Sequence, residues 1–212
     1  MTFKTIVAGV AAACALGATS AQAAVLYSNY GPGQSYDEYS SMLLGQYTWS
    51  NDTQYQLAVA FTPVVDGDVT EISLAVGAFF GDPSMEVALW TKDYSTKLGA
   101  WAFTGMSAWY PGTPPTVTGI TGVHLTAGTE YAITARSVAK NDWATWFWNS
   151  TPDTGCVQSD YGAGYSCGGM MGAFEITGDT TAVPEPAAWA LMILGFGGVG
   201  AVLRQRRRLA FA

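Results

Sequence analysis

Between residues 55 and 177 apolar side chains recur at every second position, and no other feature restricts the fold so tightly. Tyr55, Leu57, Val59 and Phe61 alternate with Gln56, Ala58, Ala60 and Thr62. Ile72, Leu74 and Val76 alternate with Ser73 and Ala75, and Met85, Val87 and Leu89 with Glu86, Ala88 and Trp90. Tyr131, Ile133 and Ala135 alternate with Ala132, Thr134 and Arg136, and Phe174 and Ile176 flank Glu175. In an extended chain successive side chains point to opposite faces, so each run offers one face to a core and one to water. Asp66-Gly67-Asp68, Gly81-Asp82-Pro83, Pro111-Gly112, Pro114-Pro115 and Ala127-Gly128 punctuate the runs as turns. Short strands spaced in this way predict an all-β fold, an antiparallel β-sandwich of jelly-roll-like form. No repeat of fixed length is visible, which argues against a propeller or solenoid.

The two ends follow other rules. Residues 1–23 read as a secretory signal peptide: Lys4 supplies the charged start, Ile6 to Leu16 the apolar stretch, and Ala21-Gln22-Ala23 a small-x-small cleavage site before Ala24. A lipoprotein cut ahead of Cys14 is the competing reading, but Ala11-Ala12-Ala13 lacks the large aliphatic residue such a site uses. Residues 24–177 then form the β-sandwich domain, and the small, polar 178–182 a linker. An apolar run from Ala187 to Leu203 reads as a single transmembrane helix. It would span about 25 Å, a little short of a ~30 Å hydrocarbon core, and snorkelling by Arg204 covers the difference. The basic tail 204–208, with Arg204, Arg206, Arg207 and Arg208, acts as a cytoplasmic stop signal and leaves the domain facing outward.

Residues 24–182 carry fifteen acidic side chains against four basic ones, a balance of −11. Such a surface repels phosphate backbones, so no nucleic-acid partner is expected. Cys14 leaves with the signal peptide, and the remaining even pair, Cys156 and Cys167, predicts a disulfide in an exported chain. Their spacing, without a nearby histidine, argues against a metal or redox pair.

The single histidine, His124, reads as a solvent-facing strand residue rather than a catalytic base, since no Gly-x-Ser-x-Gly elbow accompanies it. A polysaccharide hydrolase would need a carboxylate pair, but among fifteen acidic residues some pair always lies at a workable distance. No catalytic residue is therefore assigned. Asp66 and Asp68 read as turn residues; the alternative makes them calcium ligands, as it does Asp37 and Glu38, and no other cofactor is expected. Trp143, Trp146, Phe147 and Trp148 crowd one segment in which Trp146 and Trp148 face one way and Phe147 the other. Core packing is the default for them. The alternative is a sugar-stacking platform of Trp143, Trp146, Trp148 and Asn149, joined by Trp109, Tyr110, Asn141 and Asp142. Asn51-Asp52-Thr53 and Asn149-Ser150-Thr151 are formal glycosylation sequons.

Pro184-Glu185-Pro186, Trp189-Ala190, Met192-Ile193, Gly195-Phe196-Gly197, Gly200 and the terminal arginines together resemble the PEP-CTERM sorting signal in its PEP-x-x-W-A form, over residues 183–208. The prolines keep this stretch extended and unable to donate hydrogen bonds, as a protease cleft requires. The glycines weaken the helix and allow close packing against a partner. The resemblance implies an exosortase that cuts near Pro184, Glu185 and Pro186, with Trp189 part of the recognised motif, in a Gram-negative envelope rich in exopolysaccharide and biofilm matrix. The same tail also goes by the label ice-binding protein C-terminal domain, although nothing in it points to ice.

Leu26-Tyr27-Ser28-Asn29, Ala58-Val59-Ala60-Phe61-Thr62-Pro63, Leu125-Thr126-Ala127-Gly128-Thr129 with Tyr131, and Trp143-Ala144-Thr145-Trp146 with Trp148-Asn149-Ser150-Thr151 resemble choice-of-anchor domains, extracellular β-sandwiches without an established activity. Together these features predict a secreted or cell-surface protein that uses signal peptidase and exosortase and passes transiently through the inner membrane. Its expected role is structural or adhesive, non-enzymatic and associated with exopolysaccharide. A carbohydrate-binding module is the alternative.

Overall fold

The computed structural model describes residues 22–46, 54–81, 84–104, 106, 113–138, 142–159, 166–180, 192–196 and 204. In chain order its strands are β1 (Gln22–Ser28), β2 (Tyr36–Gln46), β3 (Gln54–Phe61), β4 (Gly67–Leu74), β5 (Val76–Phe80), β6 (Met85–Thr91) and β7 (Lys97–Phe103). They continue as β8 (Thr116–Thr118), β9 (His124–Leu125), β10 (Tyr131–Ser137), β11 (Trp143–Asn149), β12 (Gly155–Ser159), β13 (Ser166–Gly169) and β14 (Phe174–Thr180). One sheet runs β1-β14-β4-β8, with β9 also paired to β4. The other runs β5-β11-β2-β3-β10-β6-β7, with β12 added to β3 and β13 to β12. The fold is all-β, in curled antiparallel sheets.

Alternation puts the core between the sheets. Leu26, Ile72, Leu74, Phe174 and Ile176 come from the smaller sheet. Leu57, Val59, Val87, Leu89, Ile133 and Trp146 meet them from the larger, all in one buried cluster. This is how two β layers exclude water from a shared interior.

The run from Ile72 to Val76, expected as one strand, is two. The chain leaves the smaller sheet at Leu74 and enters the larger at Val76, pivoting on the fully buried Ala75. Ala75 donates its N–H to the Ala173 carbonyl at 3.0 Å and accepts the Phe147 N–H at 2.8 Å, so the corner keeps its backbone bonded. A strand that changes sheets at a bend keeps its period of two, which is why the sequence pattern shows no break. Ala75 belongs to a second small cluster with Tyr30, Tyr36, Phe147 and Ala173.

The expected linker also shortens. Gly178 and Asp179 pair with Val69 and Asp68, so β14 continues to Thr180 and 178–180 are strand. The small, polar composition suggested a linker. Gly178 instead serves close approach, because a Cβ there would run into the Asp68 carbonyl. At the other end Gln22 and Ala23 lie in β1. Cleavage after Ala23 leaves Ala24–Ser28 of that strand, including the buried Leu26.

The chain divides into two units, Ala23–Thr180 and Met1–Gln22 with Thr181–Ala212. In the second, Met192–Phe196 are helical and exposed, as is Arg204. Among the described residues no helix is long and apolar enough to cross a membrane. Most of the expected span 187–203 lies outside the described residues, as do Pro184, Glu185, Pro186, Trp189, Arg206, Arg207, Arg208 and the signal peptide through Ala21.

Candidate functional site

The antiparallel ladder between β2 and β11 breaks at one point. Phe147 pairs with Ser41, but the next residue, Trp148, pairs with Asp37. Glu38, Tyr39 and Ser40 are thus inserted opposite no residue of β11. Such a bulge bends a strand and re-aims its side chains. Its local cause is Asp37, whose Oδ1 accepts the Tyr39 N–H at 2.9 Å and offers the backbone an alternative to the ladder. Tyr39 is lifted to 91% exposure.

Beside the bulge lies an open groove of ≈ 560 Å³, closed on its far side by Asn149, Ser150, Thr151 and Met170. Tyr36 is among its lining residues, 8% exposed, its ring 5.6 Å from Phe147 and 6.3 Å from Tyr30. The Tyr36 hydroxyl is buried with no hydrogen-bond partner among the described residues. Burial raises its pKa, and the Glu38 carboxylate adds to the rise, which sets the hydroxyl near Glu38.

The far wall is built on a buried amide. Asn149 is 3% exposed; its Nδ2 donates to Thr151 Oγ1 at 2.9 Å and to the Asp153 carbonyl at 2.8 Å, and its Oδ1 accepts the Met171 N–H at 3.0 Å. Asn29 works in parallel, donating to the Gly172 carbonyl at 3.0 Å and accepting the Phe174 N–H at 2.7 Å. Ser150 Oγ donates to the Ser35 carbonyl at 3.1 Å and ties the wall to the turn before β2. The two amides satisfy the backbone of 171–174 where it passes between the sheets.

This geometry favours core packing, the default reading of the tryptophan segment, over the alternative sugar platform at Trp146. Trp146 is fully buried, donates Nε1–H to the Ala173 carbonyl at 2.9 Å, and packs against Phe174. Trp146 therefore cannot stack on a sugar, and the Asn149 amide, although its residue lines the groove, is spent on Thr151, Asp153 and Met171. Phe147 is buried as well, in the smaller cluster, so both faces of β11 are core here. Trp148 is half-buried against the main core, and Trp143 half-buried with its ring 5.6 Å from Tyr55. Trp109, Tyr110, Asn141 and the Asn51 sequon lie outside the described residues. Asn29 and the Tyr36–Tyr39 bulge escaped sequence reasoning. The available signal was local: an Asp two residues before a solvent-facing Tyr, in a strand without alternation.

Asp66 and Asp68 serve separate partners. Asp66 Oδ1 accepts the Ala127 N–H at 2.6 Å, and Asp68 Oδ1 pairs with His124 Nδ1 at 2.8 Å on the surface. Among the described residues no three His, Cys, Asp or Glu side chains converge as a metal site would need. Glu86 is held below the ordinary carboxylate range, first by its hydrogen bond from Arg136 and, in the same sense, by Lys97. Asp93 is held low by hydrogen bonds from Thr91 and Ser95. Cys156 and Cys167 are direct register partners across β12 and β13.

Residues 182–208 match the PEP-CTERM protein-sorting motif. The chain carries a PEP-CTERM signal. That signal makes it an exported protein, sorted through an exosortase to the cell surface. No curated protein matches the chain. Among solved structures, a family two carbohydrate esterase from Cellvibrio japonicus is similar over 78% of this chain, at 9% identity and a TM-score of 0.25. The chain spans 37% of that protein's length, and a likeness of this size bears on neither fold nor activity.

Proposed function

We propose that this chain is a non-enzymatic, structural or adhesive component of the cell surface that associates with exopolysaccharide in a Gram-negative envelope. Signal peptidase removes residues 1–23. The span 187–203 then holds the chain briefly in the inner membrane, with Arg204, Arg206, Arg207 and Arg208 on the cytoplasmic side. Exosortase acts near Pro184-Glu185-Pro186 and releases a β domain of choice-of-anchor type. The PEP-CTERM signal at 182–208 carries this reading, because it joins a folded domain to an export and processing route.

Glu86 and Asp93 are each held in their ionised forms by neighbouring donors, as in surface ion pairs and turns. Calcium remains a proposal for Asp66 and Asp68, each of which uses only its Oδ1 in its present contact.

Replacing Pro184, Glu185 and Pro186 together by alanine in the host tests the reading. The variant is expected to stay full-length in the inner-membrane fraction, while the wild type reaches the surface shortened at its C-terminus. Equal shortening and release of both would overturn it. Loss of the wild-type domain from the matrix fraction after enzymatic removal of the polymer tests the exopolysaccharide association separately.

A further inference from the structure

The groove beside the β2 bulge has three properties that core packing does not explain. Tyr39 presents nearly its whole ring to solvent from a strand that must break its ladder to do so. A hydroxyl of another lining residue, Tyr36, is buried with no partner among the described residues. Leaving a buried hydroxyl unsatisfied costs about 1–3 kcal/mol, so phenylalanine would suit the apo fold better at this position. Two carboxylates, Asp37 and Glu38, stand between the two tyrosines in sequence and line the same groove.

We propose that this groove is a binding site for a glycan without acidic groups, with Tyr39 stacking on a sugar ring and Tyr36, Asp37, Glu38 and Ser150 bonding its hydroxyls. An aromatic face covers the C–H face of a pyranose, and carboxylates accept from the hydroxyls at its rim. Asp37 has capacity for this, since the Tyr39 amide takes one of about four acceptor positions on a carboxylate. The groove volume falls within the range of small-ligand sites, about 300–1,000 Å³. Being open, it suits an internal unit of a polymer as well as a chain end. The exclusion of acidic sugars follows from charge. No lysine, arginine or histidine lines the groove among the described residues, and the domain as a whole is strongly acidic. A uronate or sulfated polymer would meet like charge both at long range and at the contact.

A divalent cation is the other chemistry carboxylates suggest. No third carboxylate, histidine or cysteine joins Asp37 and Glu38 among the described residues, so the charged ligand set of a tight cation site is not assembled there. The glycan proposal deepens the proposed association with exopolysaccharide and rests on that reading only for the polymer's source. Purified polymers test the groove without reference to sorting, so the two can fail separately.

The experiment uses the full-length chain in a detergent without a sugar headgroup. Affinity electrophoresis and calorimetry are run against dextran, a soluble β-1,3-glucan and galactomannan as neutral probes, chitosan oligomers as a cationic probe, and polygalacturonate as an anionic one. Binding to at least one neutral or cationic probe is expected, and none to polygalacturonate. Tyr39→Ala should weaken binding about tenfold or more, as for an exposed aromatic anchor, with an unchanged thermal midpoint. Tyr36→Phe carries the sharper test. It should weaken binding about three- to tenfold while leaving the fold equally or more stable, an opposition that a purely structural role does not produce. Absence of binding to every neutral and cationic probe would overturn the proposal. So would binding to polygalacturonate alone, or binding that Tyr39→Ala and Tyr36→Phe both leave unchanged.

Discussion

Asn149 shows how one side chain can be essential to a groove without touching what enters it. Its amide is saturated by Thr151, Asp153 and Met171, and it sits at 3% exposure. Replacement by alanine leaves the Met171 N–H without its partner in a buried setting and releases the Asp153 carbonyl at the surface. Asn149→Ala should therefore destabilise the domain by about 2–4 kcal/mol, read as a lower urea midpoint at unchanged slope. The sequence offered this asparagine for a sugar platform only as the alternative to core packing, because Asn beside Trp is chemically suited to one. For Trp146 core packing was the default, and it is fully buried. Burial is set by partners distant in sequence, Ala173 and Phe174 for Trp146 and Met171 for Asn149, and no local pattern reports them. Tyr36 was equally invisible, since whether a tyrosine hydroxyl finds a partner depends on the whole surrounding shell.

Among the elements, legibility followed alternation. β3, β6, β10 and β14 could be read because Leu57, Val59, Met85, Val87, Ile133 and Ile176 face one interior. β2 could not, because Asp37-Glu38-Tyr39-Ser40-Ser41 carries no period and the bulge consumes it. β12 and β13 are Gly- and Ser-rich at their visible ends and gain their order from pairing with β3 and with each other. Directly opposed residues of an antiparallel pair have Cα atoms about 4.5–5.5 Å apart, within the span a disulfide bridges. Cys156 and Cys167 occupy such positions. Both thiols of the exported protein should resist alkylation until reductant is added, and Cys156→Ser with Cys167→Ser should lower stability by about 3 kcal/mol. Alkylation of both cysteines before reduction would exclude the bond.

The outer face of β6, β7 and β10 carries the electrostatic counterpart. Glu86 on β6 lies 3.1 Å from Arg136 Nε on β10 and 3.7 Å from Lys97 on β7. Its pKa is lower folded than unfolded, so this contribution is fully present above the ordinary value of 4.5 and is lost as pH falls through the folded value. Glu86→Gln should thus be less stable than wild type at neutral pH by a few tenths to about 1 kcal/mol, the scale of partly exposed pairs. The deficit should close on acidification below that range. A deficit independent of pH would assign the loss to packing instead.

At the scale of the whole molecule, the boundary between domain and sorting signal is sharper than composition suggested. Ala23–Thr180 forms its own unit, β14 ends at Thr180, and the PEP-CTERM motif begins at residue 182. The expected linker of 178–182 therefore reduces to the step from 180 into the motif. The sorting signal was readable because its residues act by local identity, on a partner enzyme and a membrane. The domain's groove was not, because it is assembled from strands more than a hundred residues apart, at Tyr36 and Asn149. A chain of residues 24–180 keeps every core residue from Leu26 to Ile176 and the whole of β14. It should unfold in one cooperative transition with the same thermal midpoint as the full-length chain, within about 2 °C, measured by calorimetry. A chain stopped at 177 loses the Gly178–Val69 and Asp179–Asp68 pairs that close the β14–β4 ladder beside Leu26, and its midpoint should fall by several degrees. Processing near Pro184 then leaves a complete sandwich, whereas a cut inside the former linker would open its edge.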